Sequence, residues 1–190
     1  MNQTVKDFFN LVADDYNHDD NPRIDELLSL LNIQKGTRIL DLATGKGIIS
    51  ERLYQLSQND VIALDISEKM IEAAKSRIDN PHIHFTVGDF YQYEDEPFDL
   101  IICFDAFPHF LDVEAFVNKS FELLKDNGVL AIIHDCGRGE LNKHHAHHAE
   151  GVSRQLKEPN KEVEPFLSKF NIIDLGEGDD FYKIILKKSK

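Results

Sequence analysis

The chain has 190 residues and a formal net charge of −13, with 21 basic and 34 acidic residues. One domain is the simplest expectation at this length, and an acidic chain without a basic stripe is a poor candidate for binding nucleic acid. No apolar run reaches the ~18 residues of a membrane span, and the N-terminal segment lacks the pattern of a secretory signal. The two cysteines, Cys103 and Cys136, form no C-x-x-C pair, so we expect a cytoplasmic protein with no nucleic-acid or membrane partner.

Two helices come first along the chain, each predicted from apolar residues that recur at helical spacing. These residues are Val5, Phe8, Phe9 and Val12 in the first helix and Ile24, Leu27, Leu28 and Leu31 in the second. Gly36 ends the second helix, and the apolar runs RILDL (38–42) and VIALD (61–65) predict strands. Ser67 is the expected N-cap of the next helix, and HIHFTV (82–87) alternates as a half-exposed strand near a sheet edge does.

The second half of the chain adds two more apolar strands and a closing hairpin. LIICF (100–104) and VLAII (129–133) flank a helical segment, and the turn DNG (126–128) precedes the second strand. NIIDL (171–175) and FYKIIL (181–186) are separated by a short turn, which suits an antiparallel hairpin. Apolar strands that alternate with helices predict a parallel sheet covered by helices on both faces.

Acidic residues stand at or just after the ends of the first three predicted strands: Asp41, Asp65 and Asp89. In such a sheet, ligands bind at the carboxyl ends of the strands. Asp41 leads into a loop in which Gly45 and Gly47 let the backbone approach a ligand and turn sharply into a helix. A plain strand-to-helix turn has the same two glycines, and that alternative stays open on the loop alone.

The loop fits a dinucleotide poorly, because Ser50 stands where G-x-G-x-x-G needs its third glycine. A carboxylate at Asp41 repels phosphate but suits an ammonium group. Asp65 can accept hydrogen bonds from two ribose hydroxyls, while Asp89 can accept from an adenine amino group and Phe90 can pack on the ring. An amine, a ribose and an adenine without phosphate describe S-adenosylmethionine.

With these features the chain resembles the class I S-adenosylmethionine-dependent methyltransferases, whose first-strand motif is acidic-x-Gly-x-Gly-x-Gly. Asp41, Ala43, Gly45 and Gly47 match this motif, with alanine in place of the first glycine. We expect Ala43 to have a negative φ, because alanine is strained at positive φ, and its methyl group to narrow the cofactor cleft slightly. The resemblance covers roughly residues 5–134 and 170–187.

The resemblance implies an α/β fold with a Rossmann-like, doubly wound and mostly parallel sheet of seven strands. The implied strand order is 3-2-1-4-5-7-6, with the last strand antiparallel and helices on both faces. The chain, residues 1–190, is then a single methyltransferase domain with an acceptor-side insertion at about 135–170. The residues expected to bind S-adenosylmethionine are Tyr16, Asp41, Ala43, Gly45, Gly47, Asp65, Ile66, Asp89, Phe90 and Phe104. Tyr16 has an equally good alternative as a tyrosine at the edge of the core.

A bound methyl sulfonium is already electrophilic, so the protein mainly has to align a nucleophile and exclude water. The acceptor is expected beyond the methyl group, near the ends of strands four and five and under the N-terminal helix. The segment DAFPHF (105–110) lacks the Asn/Asp-Pro-Pro-aromatic motif of the family's amino-methylating nucleic-acid enzymes. The paired acidic metal ligands of its catechol-type O-methyltransferases are not visible either. A small-molecule acceptor is therefore predicted.

A base is needed only if the acceptor must lose a proton, and histidine is the usual base near neutral pH. The candidates for catalysis are His109, His134 and His145. The candidates for binding the acceptor are Asp105, Phe107, Arg138, Asn142 and His148. Ordinary loop and helix-start capping is an alternative for Arg138 and Asn142, and we assign no metal ligand.

The run HHAHH (144–148) lies in the insertion, on a helix that is expected from Glu140 onwards. An apolar stripe on that helix comprises Leu141, His145, His148, Val152 and Leu156. Three hypotheses remain open for the cluster. Its histidines pack or are solvated, its inward members contact or deprotonate the acceptor, or His144 and His148 hold a metal with help from His134 or Cys136.

Two other functions stay open beside a methyltransferase. One is a non-catalytic metal- or ligand-binding protein on the methyltransferase fold. The other is a nicotinamide-dependent oxidoreductase, which shares the sheet but requires the missing glycine. The sequence pattern does not indicate an oligomeric state, the identity of the acceptor or the atom that is methylated.

Overall fold

The computed structural model describes residues 3–15, 21–146 and 151–190 and is organised around one seven-stranded sheet. Its strands are β1 Ile39–Leu42, β2 Val61–Asp65, β3 Ile83–Val87, β4 Phe98–Phe104, β5 Leu124–His134, β6 Phe170–Glu177 and β7 Tyr182–Lys188. The order is β3-β2-β1-β4-β5-β7-β6. Neighbours from β3 to β5 are parallel, and β7 is antiparallel to both β5 and β6. The predicted fold class is confirmed.

Helices cover both faces of this sheet, because successive strand residues point to opposite sides and both sides are apolar. On β1, Ile39 packs into a cluster with α2 and α3, whereas Leu40 packs into an aromatic-rich cluster with α5. Both side chains are fully buried. The α-helices are α1 Gln3–Val12, α2 Arg23–Ser29, α3 Ser50–Ser57, α4 Glu68–Arg77, α5 Val113–Leu123, α6 Arg138–His145 and α7 Pro159–Glu162.

The start of α4 and the sheet edge agree with the sequence. The hydroxyl of Ser67 accepts a hydrogen bond from the Met70 N–H (3.1 Å), which confirms the predicted N-cap. The strand β3 lies at one edge of the sheet, where Ile83 is buried and Val87 is exposed. The Thr44 N–H donates to the Leu64 carbonyl (3.1 Å), which places the end of β2 beside the loop that follows β1.

One expectation about chain path is right in part and another is wrong. The chain does turn at DNG, where Asn127 is left-handed and pairing with β4 jumps from Leu124 to Val129, but β5 already begins at Leu124, before this turn. The insertion helix also ends early: α6 stops at His145, and Val152 and Leu156 are buried beyond it in irregular chain. The side chain of Asn142 bonds to the Leu156 N–H (2.8 Å) and carbonyl (2.9 Å), so this segment runs beside α6 instead of extending it.

Candidate active site

The loop after β1 is closed by the carboxylate of Asp41, which is 1% exposed. Its Oδ2 accepts hydrogen bonds from the hydroxyls of Thr44 (2.7 Å) and Ser50 (2.6 Å), at the two ends of the glycine segment. Burial raises the pKa of Asp41 to about 6, against the lowering effect of these two hydroxyls. Asp41 therefore stabilises the loop from beneath, and its side chain does not line the cavity described below.

Asp65, the last residue of β2, joins this loop to the start of α4. Its Oδ2 accepts from the Gly45 N–H and its Oδ1 from the Ser67 N–H, both at 2.8 Å. Burial raises its pKa to about 6, while the backbone donors lower it. A carboxylate has about four lone-pair sites, so Asp65 retains acceptor capacity toward a ligand.

The two loop glycines serve different purposes, although both have positive φ (55° at Gly45 and 74° at Gly47). A Cβ added to Gly45 would meet nothing within 4 Å, and Gly45 lines the cavity. A Cβ on Gly47 would lie 2.9 Å from Ile78 and 3.0 Å from the ring of Phe85. Gly45 therefore leaves space for a ligand, whereas Gly47 permits the loop to pack against its neighbours.

Ala43 contradicts the expectation of a negative φ, because its φ is 58°. The turn that follows β1 needs a left-handed residue at this position, which is where the family motif has a glycine. For an L-residue this conformation costs roughly 1–2 kcal/mol. Ala43 is therefore a strained residue, and it lines the cavity.

A cavity lies at the carboxyl ends of β1, β2 and β4, and Val5 and Phe9 of α1 form part of its wall. The structure brings many of the predicted site residues together in this wall. They are Ala43, Gly45, Asp65, Ile66, Phe90, Phe104, Asp105 and His109. Residues predicted for the cofactor and residues predicted for the acceptor therefore share one cavity.

Asp89 and Phe107 do not themselves line this cavity, although Gly88 and Phe90 on either side of Asp89 do. The Oδ1 of Asp89 accepts from the Tyr91 N–H (3.0 Å) and caps a 3-10 turn at Phe90–Gln92. Phe107 is fully buried in the aromatic cluster, with its ring centroid 5.0 Å from that of Phe116. Tyr16 and His148 lie outside the described residues.

The predicted acceptor contacts of the insertion also have other partners. The Nε of Arg138 lies 2.7 Å from the Glu177 carboxylate on β6, and the amide of Asn142 binds the backbone of Leu156. Neither residue lines the cavity. In this structure both side chains make structural contacts within the domain, as the alternative to acceptor binding holds.

His134 is fully buried on β5 and stands behind the cavity wall. Its Nδ1 lies 3.4 Å from Oδ1 of Asp105, which also accepts the Asp135 N–H (3.0 Å). Burial raises the pKa of the Cys136 thiol to about 12, which disfavours the thiolate that a metal requires. Among the residues that the structure describes, no group of three or more His, Cys, Asp or Glu residues is arranged to hold a metal ion.

His109 is the histidine in the cavity wall, and its tautomer follows from one hydrogen bond. The Nδ1 atom lies 2.9 Å from the Val152 carbonyl oxygen. A carbonyl only accepts, so Nδ1 carries the hydrogen, and the lone pair of the neutral ring is on Nε2. The ring also packs edge-on against Phe9 (4.8 Å between centroids) and His145 (5.0 Å).

One member of the histidine run, His145, packs against the cavity-lining His109. His145 is buried on α6, and its ring lies 5.6 Å from the ring of the exposed His144. His145 therefore supports His109 from behind and does not itself line the cavity.

Sequence reasoning missed the residues that hold this arrangement together. Thr44 and Ser50 close the loop over Asp41, and their hydroxyls within the glycine segment are a local signal that was available. Arg154, which contacts the turn that carries His109, and Glu162, which pairs with Arg154, have no such signal. The turn that Arg154 contacts lies far away along the chain.

The family model for a methyltransferase domain matches residues 33–187. The chain belongs to the class I S-adenosylmethionine-dependent methyltransferases. Membership in this family disfavours the nicotinamide-dependent oxidoreductase and leaves the non-catalytic alternative untested. No helix among the described residues has the length and apolarity needed to cross a membrane.

Relatives agree with this family on both sequence and fold. The chain is 31% identical to a ubiquinone biosynthesis O-methyltransferase of Bradyrhizobium diazoefficiens over 105 residues, which cover 54% of this chain and 41% of that protein. The chain therefore matches about two fifths of the length of this relative.

Two solved structures show the same fold at lower identity. A chain of the complex between the Haloferax volcanii Trm112 methyltransferase activator and a methyltransferase has a TM-score of 0.76 at 17% identity, covering 96% of this chain and 98% of its own. The magnesium protoporphyrin IX methyltransferase of Synechocystis PCC 6803, with S-adenosylhomocysteine bound, has a TM-score of 0.74 at 20% identity, with 98% and 99% covered.

Proposed function

We propose that this methyltransferase uses S-adenosylmethionine to methylate an oxygen atom of a small-molecule acceptor. The observation that carries the proposal is the single cavity that joins Asp65 and Gly45 to His109. The cavity wall combines the acceptor groups and open backbone that a nucleoside needs with a histidine whose basic nitrogen is defined.

The residues of the cavity fit the cofactor. The carboxylate of Asp65 accepts the ribose hydroxyls, and the space beside Gly45 admits the amino-acid end against the backbone. Ile66, Phe90 and Phe104 supply apolar wall for the adenine ring. Asp41, placed behind the loop, adds negative charge near the ammonium group without direct contact.

When bound, S-adenosylmethionine supplies a methyl group made electrophilic by its sulfonium. The Nε2 atom of His109 takes the proton that the acceptor hydroxyl loses as the new O–C bond forms and the C–S bond breaks. Val5 and Phe9 of α1 line the cavity, and such apolar side chains help to exclude water from the reacting groups. The hydrogen bond from Nδ1 to Val152 keeps the accepting nitrogen in place.

Two facts favour oxygen as the methylated atom. The relative from Bradyrhizobium diazoefficiens is named an O-methyltransferase. A hydroxyl also has to lose its proton during transfer, so it benefits from a base such as His109 more than a neutral amine does.

The test measures S-adenosylhomocysteine formation by the purified chain with a panel of phenols, carboxylic acids, amines and thiols. We expect turnover with an oxygen acceptor, and we expect His109→Asn to lower kcat by about 10²–10⁴-fold without changing the affinity for S-adenosylhomocysteine. His144→Asn is the matched control, since His144 is exposed and outside the cavity wall.

Two results contradict the proposal. Tight binding of S-adenosylhomocysteine without turnover of any acceptor supports the non-catalytic ligand-binding alternative. Full activity of His109→Asn removes His109 as the base, even if the chain is a methyltransferase.

A further inference from the structure

The turn Phe107–His109, together with Phe110, is held by a short piece of the insertion, residues 152–154. The Val152 carbonyl accepts from His109 Nδ1 (2.9 Å), and the Arg154 N–H donates to the Pro108 carbonyl (3.0 Å). Each of the four residues from 107 to 110 is contacted from this piece of chain.

The guanidinium of Arg154 supplies the remaining two contacts. Its Nε donates to the Phe110 carbonyl (3.3 Å), and its Cζ lies 4.6 Å from the centroid of the Phe107 ring. Phe107 and Phe110 are fully buried. A planar guanidinium can stack on a ring and donate from its edge at the same time, which an ammonium group cannot do.

Arg154 is itself fixed by a buried acid. The Oε1 of Glu162, at the end of α7, lies 2.9 Å from Nη1 of Arg154, and the Glu162 side chain is 3% exposed. The other oxygen of Glu162 accepts the Lys157 N–H (2.7 Å). A buried charge pair is weak evidence for stability by itself. The relevant effect of this pair is that Glu162 holds Arg154 in place against the turn 107–110.

We infer that Arg154, fixed by Glu162, is a positioning residue that holds His109 in its productive orientation and tautomer. Arg154 acts through the turn 107–110 and through the adjacent Val152 carbonyl. The insertion thus sets the geometry of the base from behind the cavity wall, to which residues 152–154 themselves do not contribute. The inference rests on the proposed function, in which His109 is the base.

The test uses Arg154→Lys, which keeps the buried positive charge beside Glu162 but loses the planar fork. Arg138→Lys is the matched control, because Arg138 is also an insertion arginine paired with a glutamate and does not contact the turn. A second variant, Arg154→Met with Glu162→Gln, removes both charges together and avoids an unpaired buried acid.

The first readout needs no acceptor: ¹⁵N NMR of the imidazole nitrogens, assigned by comparison with His109→Asn. The wild type and Arg138→Lys are expected to show His109 with hydrogen on Nδ1, and Arg154→Lys a mixture of tautomers. An unchanged His109 signal in both Arg154 variants overturns the inference.

The second readout is the rate with the best acceptor of the panel. Misplacing a catalytic group by about 1 Å costs up to ~10²-fold, so Arg154→Lys is expected to lower kcat by about 10–100-fold while the affinity for S-adenosylhomocysteine is unchanged. On the His109→Asn background, Arg154→Lys is expected to lower kcat no further, because the histidine that Arg154 positions is absent.

An equal loss on both backgrounds shows a general structural effect and overturns the inference. Failure of the proposed function is recognised separately, by a fully active His109→Asn. In that case the NMR signal still decides whether Arg154 positions His109.

Discussion

The two sides of the cavity are built by different means. On the proposed cofactor side, Asp65 at the end of β2 accepts from Gly45, which stands 20 positions earlier in the loop after the neighbouring parallel strand β1. On the acceptor side, His109 donates to Val152 across 43 positions, from a turn after β4 to an irregular part of the insertion. The cofactor side follows from strand order, whereas the acceptor side depends on the path of one long insertion.

This difference has a functional consequence. The sheet fixes Asp65 and the glycine loop, so cofactor affinity is expected to be independent of the insertion. The insertion fixes His109, so changes there are expected to alter the rate of transfer while leaving cofactor affinity intact.

The largest expected effect is on cofactor affinity in Asp65→Ala. The variant loses the acceptor for the ribose and the anchors of the Gly45 and Ser67 N–H groups. Hydrogen bonds to charged groups contribute about 1.5–3 kcal/mol each, so the affinity for S-adenosylhomocysteine is expected to fall by about 100-fold or more. Calorimetric titration measures it, with thermal unfolding as the check on folding.

His109→Asn is the matched variant on the other side of the cavity and is expected to keep wild-type affinity. If His109→Asn lowers the affinity for S-adenosylhomocysteine as much as Asp65→Ala does, the two sides of the cavity do not act separately on cofactor binding.

A second effect concerns pH. Burial raises the pKa of Asp65 to about 6, and ribose hydroxyls donate to the ionised form. Affinity for S-adenosylhomocysteine is therefore expected to be constant above pH 7 and to fall about tenfold per unit below pH 6, as the carboxyl gains a proton. Titrations between pH 5 and pH 8 measure this slope.

Asp41 titrates in the same range, since burial raises its pKa to about 6 as well. Because Asp41 does not line the cavity, Asp41→Asn is expected to keep the slope. If the slope of affinity against pH disappears in Asp41→Asn, the pH dependence comes from Asp41 and not from Asp65.

The smallest effect compares two strained residues in the cavity wall. Ala43 after β1 and Asp105 after β4 have φ values of 58° and 52°. Ala43→Gly relieves strain, loses only the packing of one methyl group against the core and is expected to stabilise the chain by about 1 kcal/mol. Asp105→Gly also loses the bond to the Asp135 N–H, so it is expected to gain nothing or to destabilise.

Denaturant unfolding of both variants measures the difference, with Ala73→Gly in α4 as a control that is expected to cost about 1 kcal/mol. A loss of stability in Ala43→Gly shows that the left-handed alanine is not strained.

Sequence reasoning reached the cofactor side because its signals are local. Asp65 ends an apolar strand and Gly45 lies in a recognisable glycine loop, so strand order brings them together. It erred on Ala43, because residue type gives no φ when the surrounding turn demands a left-handed residue.

The residues on the proposed acceptor side were harder to predict from the sequence. In the segment DAFPHF, the composition does not tell which aromatic side chain faces the cavity: His109 and Phe110 line it, whereas Phe107 is in the core. Arg154 gave no signal at all, because its contacts to Pro108 and Phe110 depend on how the insertion returns across the domain.

A crystal structure of the chain with S-adenosylhomocysteine bound tests the roles of Asp65 and His109 most directly. We expect the ribose hydroxyls to donate to Asp65 and the sulfur atom to lie beside His109. A cofactor product bound away from Asp65, or with its sulfur far from His109, would contradict these roles.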